Sequence, residues 1–507
     1  MSRISNVIKN AKVGVFFLIL TFAASMYSRK IFLDGLGGDF VGLTTTLLSI
    51  IGLISLAEMG MAVAISSTLY KPLANKDFGV VSEILSFLKG AYLRIALFIL
   101  IVSLIVSLSF PFFFSEETIS LELIYFIFFT LLGSVLIEYV VNYKKLLFIA
   151  DQKMFKVTKY YQSINLIKIF TQIIVVIEYQ SPVLWGAIAL IFSVVSSFLI
   201  NFKVEQSYPA LNTSKLSFTE LYKRNTHIVV KVKYLIVHKA SDFVFRTSDS
   251  LFCYYFTNLL TVAIVGNYQL LSGAIRTLVG TVSESITASV GSFVSEKSVN
   301  ESHTLFHTIF SFQWFAATFI AINFSILSNH LVKIWLGGEY VVDSWILIMI
   351  SLNTFVVLVR GPIDNFINAY GLFQDIRAPI VELTINLIIS ILFGYIWGIP
   401  GVLLGTFVSI SLVVLGWKPY FIYKEIFLEN YSFYIRSTLI RLLSTSISCI
   451  LSFYLISFAP SDVSDLYEWV ILASISVIIT SLVCLSVYVI LDKHFRTFFF
   501  KITRIKA

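Results

Sequence analysis

At 507 residues the chain is long enough for about two or three soluble domains. Yet 57% of it is hydrophobic and only 13% charged, about half the charge of a soluble protein. A mean hydropathy of +0.88 excludes a water-soluble enzyme or binding module and points to an all-α membrane protein. The net charge of +8 would suggest nucleic acid in a soluble protein, so the positions of the cations have to be found first.

A membrane span needs about 20 mostly apolar residues. In chain order the qualifying windows are 12–33, 41–66, 88–112, 119–142, 158–178 and 183–202, then a polar stretch at 203–226. After it come 227–256, 259–288, 304–327, 344–369, 380–397, 401–422, 436–458 and 468–491. These windows predict about fourteen transmembrane helices. The N-terminal run carries Lys9 and Lys12 and an Ala23-Ala24-Ser25 triplet, but its apolar stretch continues past that point, unlike a cleaved signal peptide.

Lys71, Lys76, Lys144, Lys145, Lys153, Lys156, Lys203, Lys223, Arg224, Arg377, Lys418, Lys424 and the tail cations Lys493, Arg496, Lys501, Arg504 and Lys506 all fall on one side. The opposite side has Arg29, Lys30 and Lys333 and most of the loop acids, among them Asp34, Asp39, Glu116, Glu117, Glu339, Asp343, Asp462 and Asp465. Basic loops stay in the cytoplasm, so both termini are expected inside. This asymmetry accounts for the surplus charge without any nucleic-acid partner. Phe40-Val41-Gly42-Leu43 and Ile264-Val265-Gly266-Asn267 form a short internal repeat. It fits two pseudo-symmetric six-helix lobes plus two C-terminal helices. The expected division is 1–204 for the first lobe, 205–226 for a cytoplasmic linker, 227–425 for the second lobe, and 426–507 for the last two helices and a basic tail. Transporters are often built from such repeats.

Ionisable groups at bilayer depth mark functional sites by default. In the seventh window Lys239, Asp242, Arg246 and Asp249 are spaced three, four and three apart, which puts them on one helical face. Arg276 and Glu284 share a face of the eighth, and Glu58 lies in the second. The tenth carries Asn353, Arg360, Asp364 and Asn368 around Gly361-Pro362, where proline removes a backbone donor and favours a kink. Arg29, Arg246, Arg276 and Arg360 are candidates for a cationic cavity, because the guanidinium fork pairs two phosphate oxygens at once. Glu58, Asp249, Glu284 and Asp364 are candidates for coupling to a proton or sodium gradient, since buried carboxylates can hold protons. Lys239, Asp242, Asn353 and Asn368 are secondary candidates. Equally, Arg246 with Asp242 or Asp249, and Arg360 with Asp364, fit ion pairs that lock helices together. Glu138, Lys168 and Glu382 lie near span ends, where snorkelling returns charge to water. His303, His307 and His330 are also expected at solvated span ends. Cys253, Cys449 and Cys484 sit in apolar runs without metal or disulfide spacing.

Several segments resemble the Wzx-type oligosaccharide flippases of the multidrug/oligosaccharidyl-lipid/polysaccharide (MOP) exporter superfamily. Residues 55–76 resemble that family's second span and following loop. Ser248-Asp249-Ser250 followed by Val265-Gly266-Asn267-Tyr268 is similar to its Thr-Asp and Val-Gly-x-Tyr elements, with Ser248 replacing the usual threonine. Ile334-Trp335-Leu336-Gly337-Gly338-Glu339-Tyr340 resembles the segment before its tenth span. Gly371-Leu372-Phe373, Glu382, Asn386 and Gly401-Val402-Leu403-Leu404-Gly405-Thr406 resemble its eleventh and twelfth spans. The likeness runs over most of residues 1–427. It implies a non-enzymatic flippase in a bacterial inner membrane that carries undecaprenyl-diphosphate-linked oligosaccharide to the periplasmic leaflet. It further implies alternating access, ion coupling without a bound cofactor, and a place in O-antigen or capsule synthesis beside polymerase and chain-length proteins. The alternatives are a drug/cation antiporter of the same superfamily, whose cavity should be acidic and aromatic, and a membrane-embedded polysaccharide enzyme. The latter needs a catalytic acid or base on a sizeable loop, and the loops here are short.

Overall fold

The computed structural model describes the backbone of residues 3–58, 60–211, 216–372, 375, 377–459 and 463–505. Among these, its side-chain description leaves out 3–5, 7–8, 57, 234–235, 237–246, 284–285, 288 and 502–505. The chain is all-helical. In order, it forms α1 (Arg3–Leu36), α2 (Gly38–Ile54), α3 (Met61–Ala74), α4 (Phe78–Ser107), the short α5 (Phe110–Phe113), α6 (Leu121–Val141), the short α7 (Lys145–Ala150), α8 (Met154–Tyr179), α9 (Pro182–Ser207) and α10 (Phe218–Arg224). Then follow α11 (Thr226–Phe256), α12 (Leu259–Glu296), α13 (Val299–Leu336), α14 (Ser344–Tyr370), α15 (Arg377–Trp397), α16 (Ile399–Ile410), α17 (Lys418–Ile422), α18 (Tyr431–Ile456), α19 (Leu466–Leu491) and α20 (Lys493–Ile505).

Each apolar window falls on a helix, and the helix ends carry the expected chemistry. Ser120, Ser181, Asp343 and Asp465 cap α6, α9, α14 and α19 by accepting backbone N–H bonds. Ser298 and Glu301 form a reciprocal capping box on α13. The 41–66 window is not one helix. It breaks into α2, a 3-10 turn over Ser55–Glu58, and α3, with Gly60 at φ 93°; only glycine adopts that conformation freely. Pro362 does not end its helix: α14 runs through it.

Among the described residues, eleven helices are long and apolar enough to cross a membrane. Their outward faces carry Phe198, Ile450 and Ile490 at 58%, 68% and 69% exposure. Such faces suit hydrocarbon rather than water, so the chain is a multi-pass membrane protein.

Two compact units are present, Met1–Ala263 and Ile264–Ala507. In the first, α1 packs on α8, α6 on α9 and α4, and α11 on α2 and α3. The first residue of α12 lies against α2 because Gly42 lacks a side chain: a Cβ there would sit 1.8 Å from the Leu259 carbonyl oxygen. In the second unit α13 packs on α14 and α19, α15 on α16, and α18 on α19. Trp314, Phe306 and Phe310 of α13 are fully buried.

Candidate functional site

In the first unit the helix break presents Glu58 half-buried, and the Tyr92 hydroxyl of α4 donates to its Oε1 at 2.8 Å. Tyr139 of α6 stands against the Tyr92 ring at 5.6 Å. Next to Tyr139 in the chain, Glu138 pairs with Lys145, so its charge is matched by a neighbour rather than only by snorkelling. Arg29 of α1 donates to the Ala263 carbonyl at 3.0 Å. Asp249 is buried on α11 within the run Thr247–Ser250, all of it buried. The side chains of Lys239, Asp242 and Arg246, on the same helix, lie outside the described residues.

In the second unit α12 and α14 touch through small and polar groups. A Cβ on Gly361 would lie 2.8 Å from Ser283 Oγ. Asn365 donates to that same oxygen at 3.2 Å and accepts from Thr287 at 2.7 Å. Arg276 lies seven residues before Ser283, about 10 Å of helix rise, half-buried, with Nη2 3.5 Å from Ser272 Oγ. The Glu284 side chain lies outside the described residues.

Arg360 and Asp364 are brought together, one turn apart, at 2.6 Å. Two residues that sequence reasoning set aside join them. Lys418 Nζ reaches the other Asp364 oxygen at 2.6 Å. Glu382, which is buried rather than snorkelling, lies 3.9 Å from Arg360. The result is a four-member cluster, two cations against two acids, joining α14, α15 and α17. Below it Asn386 donates to Thr406 at 3.0 Å. Asn353 donates to the Leu403 carbonyl at 3.0 Å, and Asn368 is exposed. Both asparagines are therefore placed away from this charge cluster's contacts.

A second buried network was missed in the sequence. Arg441 of α18 is fully buried and pairs with Asp492 at 3.1 Å. It also donates to Ser311 Oγ at 2.8 Å and reaches His307 Nδ1 at 3.3 Å. His303 and His307 are buried, not solvated, and both imidazoles meet the Tyr423 hydroxyl, at 2.8 and 2.6 Å. His494, just beyond α19, stacks on His307 at 5.0 Å; burial first, and then Arg441, lowers its pKa. A signal was available in the pattern. Thr438, Arg441, Ser444, Ser448 and Ser452 recur every three or four residues and are all buried, as are Ser476, Thr480, Cys484 and Tyr488 on α19. Such small-polar stripes mark helix contacts in lipid.

Comparison with solved structures places this bundle. It is similar to a lipid II flippase, MurJ, in an inward closed conformation, with a TM-score of 0.66 at 15% identity over 95% of this chain and 98% of that one. The fold is that of the MOP transporters. A multidrug resistance MATE family transporter of the MOP superfamily, facing inward, matches with a TM-score of 0.57 at 14% identity, over 79% of this chain and 94% of that one. An outward-facing transporter of the same description matches at 0.51 and 13% identity, over 83% and 96%. No family model and no curated protein sequence matches the chain. The flippase match spans nearly the whole chain, and the inward-facing MATE match leaves about a fifth of it uncovered.

Proposed function

We propose that the chain is a flippase that moves undecaprenyl-diphosphate-linked oligosaccharide repeat units from the cytoplasmic to the periplasmic leaflet of a bacterial inner membrane. It works by alternating access through about fourteen spans, with both termini inside, and is driven by a proton or sodium gradient. The units feed O-antigen or capsular polysaccharide synthesis, alongside the polymerase and chain-length proteins of that pathway. The observation that supports this reading best is the likeness to a solved lipid II flippase over 95% of this chain and 98% of that one.

In this reading Arg29, Arg246, Arg276 and Arg360 attract the diphosphate. A phosphate at Arg360 must compete with Asp364, which already accepts from it. Glu58, Asp249, Glu284 and Asp364 carry the coupling cation. Lys239, Asp242, Asn353 and Asn368 serve as secondary polar contacts. The second reading is a drug/cation antiporter, favoured by the MATE likeness.

The test is genetic. Deleting the gene should make lipid-linked repeat units accumulate on the cytoplasmic leaflet while surface polysaccharide disappears. Complementation with Arg276→Gln should insert normally yet fail to restore the polymer. Continued export and polymerisation in the deletion strain would refute the flippase reading, and dye efflux by the purified protein in vesicles would favour the antiporter.

A further inference from the structure

The hydrogen bonds around Tyr423 have only one consistent direction while both histidines are neutral. Arginine has donors and no acceptor, so the contact of Arg441 Nη2 with His307 Nδ1 at 3.3 Å makes that nitrogen an acceptor. Neutral His307 then carries its proton on Nε2 and donates to the Tyr423 oxygen at 2.6 Å. A second proton on Nδ1 would face the guanidinium directly, so His307 stays neutral. Tyr423 has a single hydrogen, and it goes to His303 Nε2 at 2.8 Å. Among the described residues the Tyr423 hydroxyl bonds only these two imidazoles. The chain of donation therefore runs Arg441, His307, Tyr423, His303 and stops there.

We propose that His303 is a proton-binding site, and that the proton it takes unlatches Tyr423 from α13. The proton comes from solvent and adds to the Nε2 lone pair. Glu429, 41% exposed, has its Oε2 3.5 Å from that nitrogen and supplies the counter-charge at the open edge of the cluster. Protonated Nε2 can only donate. The Tyr423 oxygen then receives two N–H bonds, and its own hydrogen has neither imidazole to go to. One proton thus converts a satisfied buried network into an unsatisfied one, which is where such networks fail.

The segment that the latch holds is built to move. Tyr423 opens a π-helical turn, Tyr423–Phe427, and another π-helical stretch covers Ser411–Trp417. Wide turns of this kind are uncommon and concentrate at functional positions. The segment ends at Leu428, a non-glycine residue at φ 51°. It also joins α17, whose first residue Lys418 binds Asp364, to α18, which carries Arg441. Release at Tyr423 therefore acts on both polar clusters of the second unit. The titratable neighbours of His303 are His307 on its own helix, with Arg441 of α18 behind it, Tyr423 in the π turn, Glu429 beyond that turn, and His494 on α20.

Hydrogen exchange of the full-length protein in lipid nanodiscs tests it, read on the peptide covering 418–430 and corrected for intrinsic rates. Between pH 8 and pH 5.5 the wild type should exchange about three- to tenfold faster, the loss of one hydrogen bond. His303→Gln keeps an amide oxygen to accept from Tyr423 and cannot titrate in this range, so it should exchange slowly at both values. Tyr423→Phe should exchange fast at both. His494→Gln should behave as wild type. A wild-type pH response retained in His303→Gln, or lost in His494→Gln, would overturn the assignment to His303. Slow exchange of Tyr423→Phe at pH 8 would overturn the latch.

Discussion

A guanidinium sealed inside an apolar bundle is tolerable only if every donor finds a partner, and Arg441 shows what that requires. Asp492 neutralises it, Ser311 and His307 accept from it, and the Phe310 ring lies 5.0 Å from its carbon. Removing one member leaves the other charge buried and unpaired. Arg441→Leu should therefore destabilise the protein by about 3–5 kcal/mol. The double variant Arg441→Leu, Asp492→Asn should recover much of that loss. Thermal unfolding of the purified protein in detergent reads both, and a double variant no more stable than the single one would show that the pair is not the cause. Sequence reading passed over Arg441 because it weighed isolated charges against hydropathy windows. The Arg360–Asp364 pair was legible because both partners sit on one helix, one turn apart. Lys418 and Asp492 come from other elements, and spacing along one helix cannot reveal such partners.

At the scale of elements, glycine placement sets how closely helices meet. In the α15–α16 hairpin a Cβ on Gly401 would lie 2.0 Å from the Phe393 carbonyl oxygen, and one on Gly405 would lie 2.2 Å from Ser390 Oγ and 2.6 Å from the Ser390 backbone nitrogen. Backbone cannot rotate away as a side-chain tip can. Gly401→Ala and Gly405→Ala should each cost about 1–3 kcal/mol through overpacking. Gly280→Ala, with nothing within 4 Å of its new carbon, should leave stability unchanged or slightly raise it, because alanine favours helix. Melting temperatures of the three variants in one detergent give the comparison; equal values would mean that α15 and α16 can part without penalty. The Gly401 and Gly405 positions stood out in the sequence only as part of a family-like motif. The break at Ser55–Gly60 was not foreseen, since an uninterrupted apolar window says nothing about a left-handed glycine within it.

For the whole molecule, the one-sided distribution of Lys and Arg predicts an orientation that can be measured. In a cysteine-free background, Glu116→Cys and Glu339→Cys should react with a membrane-impermeant maleimide in intact cells. Lys76→Cys and Lys223→Cys should react only after the membrane is opened. All four positions have exposed side chains, so silence would not reflect burial. The reverse pattern would place both termini outside and invert the direction of transport proposed above.

The sequence by itself determined that this is a bundle of membrane helices, roughly where each begins and ends, and which faces carry charge. Those properties are local, because hydropathy and capping act over a single turn or span. Only the tertiary structure decided that α11 packs on α2 and α3, that Glu382 and Lys418 complete the Arg360–Asp364 cluster, and that His303, Tyr423, His307 and Arg441 form one donor chain. In lipid the hydrophobic effect does not choose helix partners. That choice falls to close approach at small residues and to hydrogen bonds between polar ones, and both depend on residues far apart in the chain.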